Sequence, residues 1–263
     1  MLIDTHCHLD VLEFDADRDS VVTQSHALGV KIIVTPAIQH DNFDAVLSIC
    51  QHYSGCVPAL GLHPMYIHAH RPEHLAALRT AIEMHRPVAI GEIGLDFFVP
   101  NLDADRQEYY FTEQLKIARD FDLPVLLHSR RANDQVLKQL RRFGIRRGIA
   151  HAFSGSRQQA DALIKSGFKL GFGGAMTYTR ASNLRHLATE LPLEAIVLET
   201  DAPDMSPAWL HRQRNSPEQL PRIAAVLADL RGVNLETVRH TTTQNALTTL
   251  SLSSEAITQH GST

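Results

Sequence analysis

Short apolar runs alternate along this chain with longer stretches whose apolar residues recur at helical intervals. Met1–Thr5 is the first run. Val21, Val22, Ser25 and Leu28 then trace a helical stripe, with Gly29 placed to stop it. Lys31–Thr35 reads as a second short strand, Asp44–Cys50 as a helix, and Val57–Gly61 as a third strand leading into Leu62-His63-Pro64. Leu75, Leu78 and Ile82 mark the next helix, before the strand Val88–Gly91 that ends at Glu92. Phe111, Leu115, Ala118 and Phe121 form the clearest helical stripe, and Pro124 lies just past its end. The remaining strands are Val125–Leu127, Gly148–Ala150, Phe168–Phe172 and Ile196–Leu198. Between them Val136, Leu137 and Leu140 mark one helix, Ser156 caps another that Gly167 closes, and a polar helix starts near Ser182. Helices over Pro217–Arg231 and Leu235–Leu250 complete the pattern, and Ser251–Thr263 reads as a frayed tail.

Strands that alternate with helices pair in parallel, and eight such units close into an α/β fold of the (β/α)8 TIM-barrel type. A doubly wound open sheet is the competing arrangement, but it gives no reason for polar residues to gather from so many strand ends. No linker or low-complexity stretch divides the chain, so residues 1–250 are expected to be one domain, followed by the tail 251–263. With 44% hydrophobic and 21% charged residues, 263 residues can bury a large core. The formal charge of −4 supplies no global basic field, so any contact with nucleic acid has to be local. Three cysteines, Cys7, Cys50 and Cys56, without paired spacing argue for a reducing compartment rather than a disulfide scaffold. No apolar run approaches the ~20 residues that span a bilayer, so no membrane association is expected. Candidate chemistry begins at His6, which leaves no room for a leader, and a cytoplasmic location is the expectation.

That chemistry sits where the predicted strands end. His6 and His8 follow the first, Glu92 the fourth, His128 the fifth, His151 the sixth and Asp201 the eighth. In a barrel these C-terminal ends ring one mouth, where barrel enzymes keep their reactive groups. Strand alternation puts His6 and His8 on one face and Cys7 on the other, as a small buried residue. Two such histidines hold either a metal ion or simple hydrogen bonds. Four imidazoles and two carboxylates exceed what one catalytic zinc uses, and they suit two metals that share a carboxylate.

The motifs around these residues are specific in their order and spacing. His6-Cys7-His8, Gly61-Leu62-His63-Pro64, Gly91-Glu92-Ile93-Gly94-Leu95-Asp96, His128-Ser129-Arg130, His151-Ala152-Phe153-Ser154-Gly155 and Glu199-Thr200-Asp201-Ala202-Pro203 together resemble the TatD family of metal-dependent hydrolases. Asn245-Ala246 resembles that family's closing motif, and the likeness runs from residue 3 to about residue 247. The resemblance implies a barrel of the metallo-dependent hydrolase type, two divalent metal ions per subunit, and hydrolysis of DNA phosphodiesters. Carried over by position, it implies His6, His8 and Asp201 on one metal, His128 and His151 on the other, and Glu92 as the bridge. Many small-molecule amidohydrolases bridge their metals with a carboxylated lysine at the position of Glu92, so glutamate here favours the TatD-like branch. Zinc suits the imidazoles, whereas the carboxylates and a phosphate also admit magnesium or manganese.

The expected activity is a phosphodiesterase acting on single-stranded DNA or DNA ends through a metal-activated water. Asp201 and Glu92 are its catalytic carboxylates, with Asp201 the proton carrier. His63 is expected to meet a substrate phosphate, or else to be a loop histidine held by hydrogen bonds. Arg130 is expected to bind phosphate through its planar fork. Glu199 faces the same way as Asp201 and is expected to orient a ligand, while Asp4 and Asp96 read as acceptors for ligand N–H groups or as turn residues. Arg141, Arg142, Arg146 and Arg147 precede strand six, at the far end from this chemistry, and read as a solvated surface. Pro203–Pro217, with Trp209, Arg212 and Arg214, reads as a substrate wall or a plain connection. The alternatives are a binuclear hydrolase of a small ester, amide or phosphate, and a metal-binding protein without turnover. No obligate protein partner is indicated.

Overall fold

The computed structural model describes residues 1–253. The tail expected from Ser251 therefore lies outside the described residues from position 254 on. In chain order the main elements are β1 (Leu2–Asp4), α1 (Arg18–Ala27), β2 (Val30–Pro36), α2 (Phe43–His52), β3 (Cys56–Leu60) and α3 (Pro72–His85). Next come β4 (Ala89–Asp96), α4 (Ala104–Asp120), β5 (Val125–Arg130), α5 (Asn133–Phe143), β6 (Gly148–Ala150), α6 (Arg157–Lys165) and β7 (Phe168–Phe172). The chain ends with α7 (Ser182–Glu190), β8 (Ile196–Leu198), α8 (Leu220–Arg231) and α9 (Leu235–Leu250). The strands follow one another through a single sheet in the order β1 to β8, and the paired registers are parallel. β8 also bonds back to the exit of β1, through Thr5 N–H to the Leu198 carbonyl at 3.1 Å. This is the (β/α)8 barrel topology.

Contacts group the chain into two compact units, with boundaries inside β2, α2, β3 and β7. The first comprises Met1–Thr35, Ile49–Val57 and the described residues from Gly171 on. Its core includes Leu2, Phe14, Ile33, Val197, Leu220, Ile223 and Val238, all buried. The second comprises Pro36–Ser48 and Pro58–Leu170. There α4 lays Phe111, Leu115 and Ala118 against β4, and Ile90, Leu126, Leu127 and Ile149 fill the interior. Each large apolar side chain so buried contributes about 1.5–3 kcal/mol. Ser156 caps α6 by accepting from Gln159 N–H and forms a capping box with that residue.

Two strands run further than their apolar runs predict. β4 continues five residues past the expected Gly91 to Asp96, so Glu92 lies inside the strand rather than at its end. β5 continues past His128 to Arg130. The extension is paired throughout, Gly94 with His128 and Asp96 with Arg130, after a register shift between Ile90 and Ile93. Such a shift re-aims side chains, and here it falls at Glu92. Gly94 hides the extension from any apolar pattern, yet only glycine serves there: at φ 152° a Cβ would stand 1.8 Å from the His128 carbonyl oxygen.

Candidate metal-binding residues

In the first unit, the exits of β1 and β8 are sewn together by backbone bonds. Asp201 N–H donates to the His6 carbonyl and His8 N–H to that of Ala202, both at 2.8 Å. These bonds bring His6, His8 and Asp201 into one group, with a ligand atom of each within 4.8 Å of the others. Oδ1 of Asp201 lies 3.9 Å from Nε2 of His6 and 3.7 Å from Nε2 of His8. Those gaps are too long for hydrogen bonds. Two ligands about 2.1 Å from one ion stand about 3.4 Å apart in tetrahedral geometry, so the group fits a cation closely.

The support beneath this group is polar and buried. Asp201 sits at φ 56°, a conformation that costs a non-glycine residue about 1–3 kcal/mol and needs its neighbours to hold it. Fully buried Asp4 does part of this, accepting from His6 N–H at 3.2 Å and Thr200 N–H at 3.0 Å through one oxygen and from the Thr200 hydroxyl through the other. Burial pushes its carboxyl up to about 7, against the lowering effect of those bonds. Asn215 does the rest: its side-chain N–H groups donate to the Thr200 and Asp204 carbonyls at 2.8 and 2.9 Å. Glu199 is buried beside Gly171, where a Cβ would stand 2.2 Å from its Oε2. The bare glycine is what makes room for this carboxylate.

In the second unit, Glu92, His63 and His128 form another group with ligand atoms within 4.8 Å of one another. Oε1 of Glu92 is 3.0 Å from Nδ1 of His128 and 3.2 Å from Nε2 of His63. The other nitrogen of His128, Nε2, lies 2.9 Å from Oδ2 of Asp96. Asp96 is held in turn by Phe98 and Val99 N–H at 2.8 and 2.9 Å. A carboxylate on the far nitrogen of an imidazole fixes the ring and makes its other nitrogen a better ligand. Burial raises the Asp96 carboxyl, but the His128 bond and the two amides outweigh it and hold it at about 2. Burial likewise opposes charge on His128, and its bonds to Asp96 and Glu92 outweigh that, pushing it up to about 8. His151 follows β6, is buried, donates its N–H to the Leu127 carbonyl at 3.0 Å, and has a ring nitrogen within 4.8 Å of the Glu92 carboxylate.

His63 has a defined tautomer. Its Nδ1 accepts from Met65 N–H at 3.1 Å, so the neutral ring carries its proton on Nε2, facing Glu92. It is therefore a donor in this arrangement rather than a ligand. His70 steadies its backbone, donating from Nε2 to the His63 carbonyl at 2.8 Å.

Several positioning residues carry no motif. Gln107 and Gln114 stand two turns apart on the buried face of α4. Gln107 bonds both N–H and C=O of Asp96, at 2.7 and 2.9 Å, and Gln114 both groups of Leu62, at 2.7 and 3.1 Å. Each amide acts as a short piece of strand behind a chemistry-bearing residue. Polar side chains inside the Phe111–Leu115 stripe are the signal that could have found them. Asn215 lies in the loop read as a wall or a connection. In that loop Trp209 donates to Gln219 and Arg214 pairs with Asp17, while Arg212 lines a cavity of about 650 Å³ with Tyr178, Arg180 and His211. Asn245 ties α9 to the start of β8, donating to the Leu193 and Ile196 carbonyls at 2.9 and 2.7 Å. Cys7 is fully buried, as its place opposite the histidines implies. Arg147 pairs with Asp122 at 3.8 Å, and Arg142 lies over Phe143.

A (β/α)8 fold with histidine and carboxylate donors at its strand exits defines a metal-dependent barrel hydrolase. The comparisons make this particular: the family model described as TatD related DNase matches residues 3–251, and the chain belongs to that family. The metal-dependent hydrolase YjjV of Escherichia coli K12 is 44% identical over 233 residues, covering 87% of this chain and 90% of that protein. The metal-dependent hydrolase YabD of Bacillus subtilis 168 is 31% identical, covering 94% and 97%. A crystal structure of the E. coli K12 TatD homologue YjjV superimposes with a TM-score of 0.91 at 41% identity, covering 94% of this chain and 96% of that one. Among the described residues no helix is long and apolar enough to cross a membrane.

Proposed function

We propose that this protein is a divalent-metal-dependent phosphodiesterase, a deoxyribonuclease of DNA ends or single strands, with residues 1–250 working as one hydrolase domain. The observation that carries it is the Asp96–His128–Glu92 chain, in which one carboxylate orients an imidazole and leaves its Nδ1 turned to a second carboxylate. A structural histidine has no need of this arrangement, whereas a metal ligand does. In this reading His6, His8 and Asp201 would hold one ion and His128 and His151 the other, with Glu92 available to both. When bound, the ions acidify a water and offset charge on the phosphate.

The chain's own groups do the rest. Asp201, on a loop that Asp4 and Asn215 immobilise, takes the proton from the attacking water. His63 offers its Nε2–H to Glu92 or to a phosphate oxygen. Glu199, lodged against Gly171, steadies the strand exit that carries Asp201. The formal charge of −4 favours ends and single strands over a continuous duplex, which would need a broad basic face. Zinc, magnesium and manganese all suit this donor set.

The test uses protein of measured metal content, exchanged into each ion. Its substrates are a labelled single strand, a linear duplex, a closed circular duplex and a panel of small esters and amides. Nucleotide release from the first two and none from the circle is the expected result. Turnover of a small ester or amide with DNA left intact would overturn the substrate assignment. Bound metal without any turnover would overturn the enzyme.

A further inference from the structure

Beyond the donor groups, the second unit contains a cavity of about 430 Å³ lined by Phe98, Ser129, Arg130, Arg131, Asn133 and Gln159 among others. That volume suits a small ligand. Phe98 is exposed, and both neighbouring guanidiniums lie over its ring, Arg130 at 3.8 Å and Arg131 at 4.6 Å from the centroid. Stacking fixes the plane of a guanidinium while leaving its N–H groups free to face a ligand. Arg214 also lies over a ring but is spent on Asp17. Among the described residues neither Arg130 nor Arg131 uses its guanidinium in an ion pair or hydrogen bond.

Ser129, Asn133, Gln159 and Asp134 of the lining are already engaged with one another. The Ser129 hydroxyl donates to Asn133 Oδ1 at 2.6 Å, Asn133 donates to Gln159 at 3.2 Å, and Gln159 donates to Asp134 at 3.0 Å. Asp134, the carboxylate in this lining, is thus engaged with Gln159. The unmatched capacity is two cationic forks, each with five N–H donors, so the ligand is an anion with several acceptor oxygens. Arg131 is held at φ 56°.

The cavity is coupled to the donor group through Asp96, whose Oδ1 accepts from Phe98 N–H while its Oδ2 faces His128. Arg130 follows His128 by two residues, a span of at most about 7 Å along extended chain. We propose that Phe98, Arg130 and Arg131 form a phosphate subsite for the nucleotide next to the scissile phosphodiester. Substrates with at least one additional phosphate are thereby preferred over a single ester. This rests on the phosphodiesterase reading, and the experiment below separates the two.

With metal-loaded enzyme, kcat/KM is measured on a single-stranded oligonucleotide and on bis(p-nitrophenyl) phosphate, which has one phosphate. Arg131→Met should lower the ratio of the two by about tenfold, mainly through KM, and reduce the salt slope for the oligonucleotide by about one. Phe98→Leu, which keeps both charges but frees them, should lower the ratio by about threefold, with the thermal midpoint of each variant checked against the parent. Oligonucleotide cleavage with ratio and salt slope unchanged in Arg131→Met would overturn the subsite and leave the phosphodiesterase standing. If the parent cleaves neither substrate, the phosphodiesterase reading fails. Fluorescence anisotropy of a labelled oligonucleotide then decides the subsite: binding that Arg131→Met abolishes sustains it, and binding that is absent or unaltered overturns it.

Discussion

Around Asp201 the imidazole nitrogens stand 3.7 and 3.9 Å from the carboxylate, whereas around Glu92 they stand 3.0 and 3.2 Å away. The first group is held from behind, by backbone bonds between strand exits and by Asp4 and Asn215 acting on main chain. Asp201 Oδ1 stands beyond hydrogen-bond reach of Nε2 of His6 and of His8. The second is held through the side chains themselves, in the run Asp96–His128–Glu92–His63. A cation entering the first group between Asp201 Oδ1 and those two nitrogens meets gaps wider than a hydrogen bond. At the second it must take the place of the proton between His128 and Glu92. The difference teaches that a ligand set can be prepared by its scaffold or by its own polar contacts, and that different substitutions should damage each kind.

The largest expected effect is at the side-chain-built group. His128→Ala leaves Glu92 and Asp96 buried without their shared partner, and hydrolysis should fall by at least about 100-fold. Metal content, read by elemental analysis, should drop by about one ion per chain, and an unaltered rate would remove His128 from the assignment. Next comes Asp96→Asn, which keeps the shape and loses the charge on His128 Nε2. Metal affinity should weaken by about 10- to 100-fold in a competition titration. The matching change Asp4→Asn acts on main chain and should move stability more than affinity. Equal affinity losses in the two variants would erase the contrast drawn above.

Stability changes come after these. Gln114→Leu strips partners from the Leu62 N–H and C=O, and about 2–6 kcal/mol should be lost in denaturant unfolding, at about 1–3 kcal/mol per orphaned group. Asn215→Leu should cost a similar amount and also loosen the Asp201 loop, visible as faster amide exchange over residues 200–205. A variant with full protection there would show that the loop needs no such tie. Smallest is Cys7→Ala, which trims one buried sulfur, and it should cost only about 1 kcal/mol with metal content unchanged.

The residues themselves determined the alternation of strands and helices, because it depends only on spacing within a few positions. An apolar stripe such as Phe111, Leu115 and Ala118 must be buried wherever the helix lies. The donor types were legible for the same local reason: His6, His128, His151 and Asp201 each stand at or just past an apolar run, and a histidine or acid there is written in one dimension. Four features were settled only in three dimensions. β4 reaches Asp96 because β5 pairs with it across Gly94, and pairing is not a property of one segment. Gln107 and Gln114 find work because the N–H and C=O of Asp96 and Leu62 bond these amides rather than a neighbouring strand. Asn215 reaches back to Thr200, and Arg131 meets Phe98 across an intervening helix. Hydrophobic burial can be read from periodicity because it is non-directional, whereas a hydrogen bond needs a partner at one distance and angle, and only the folded chain chooses which partner that is.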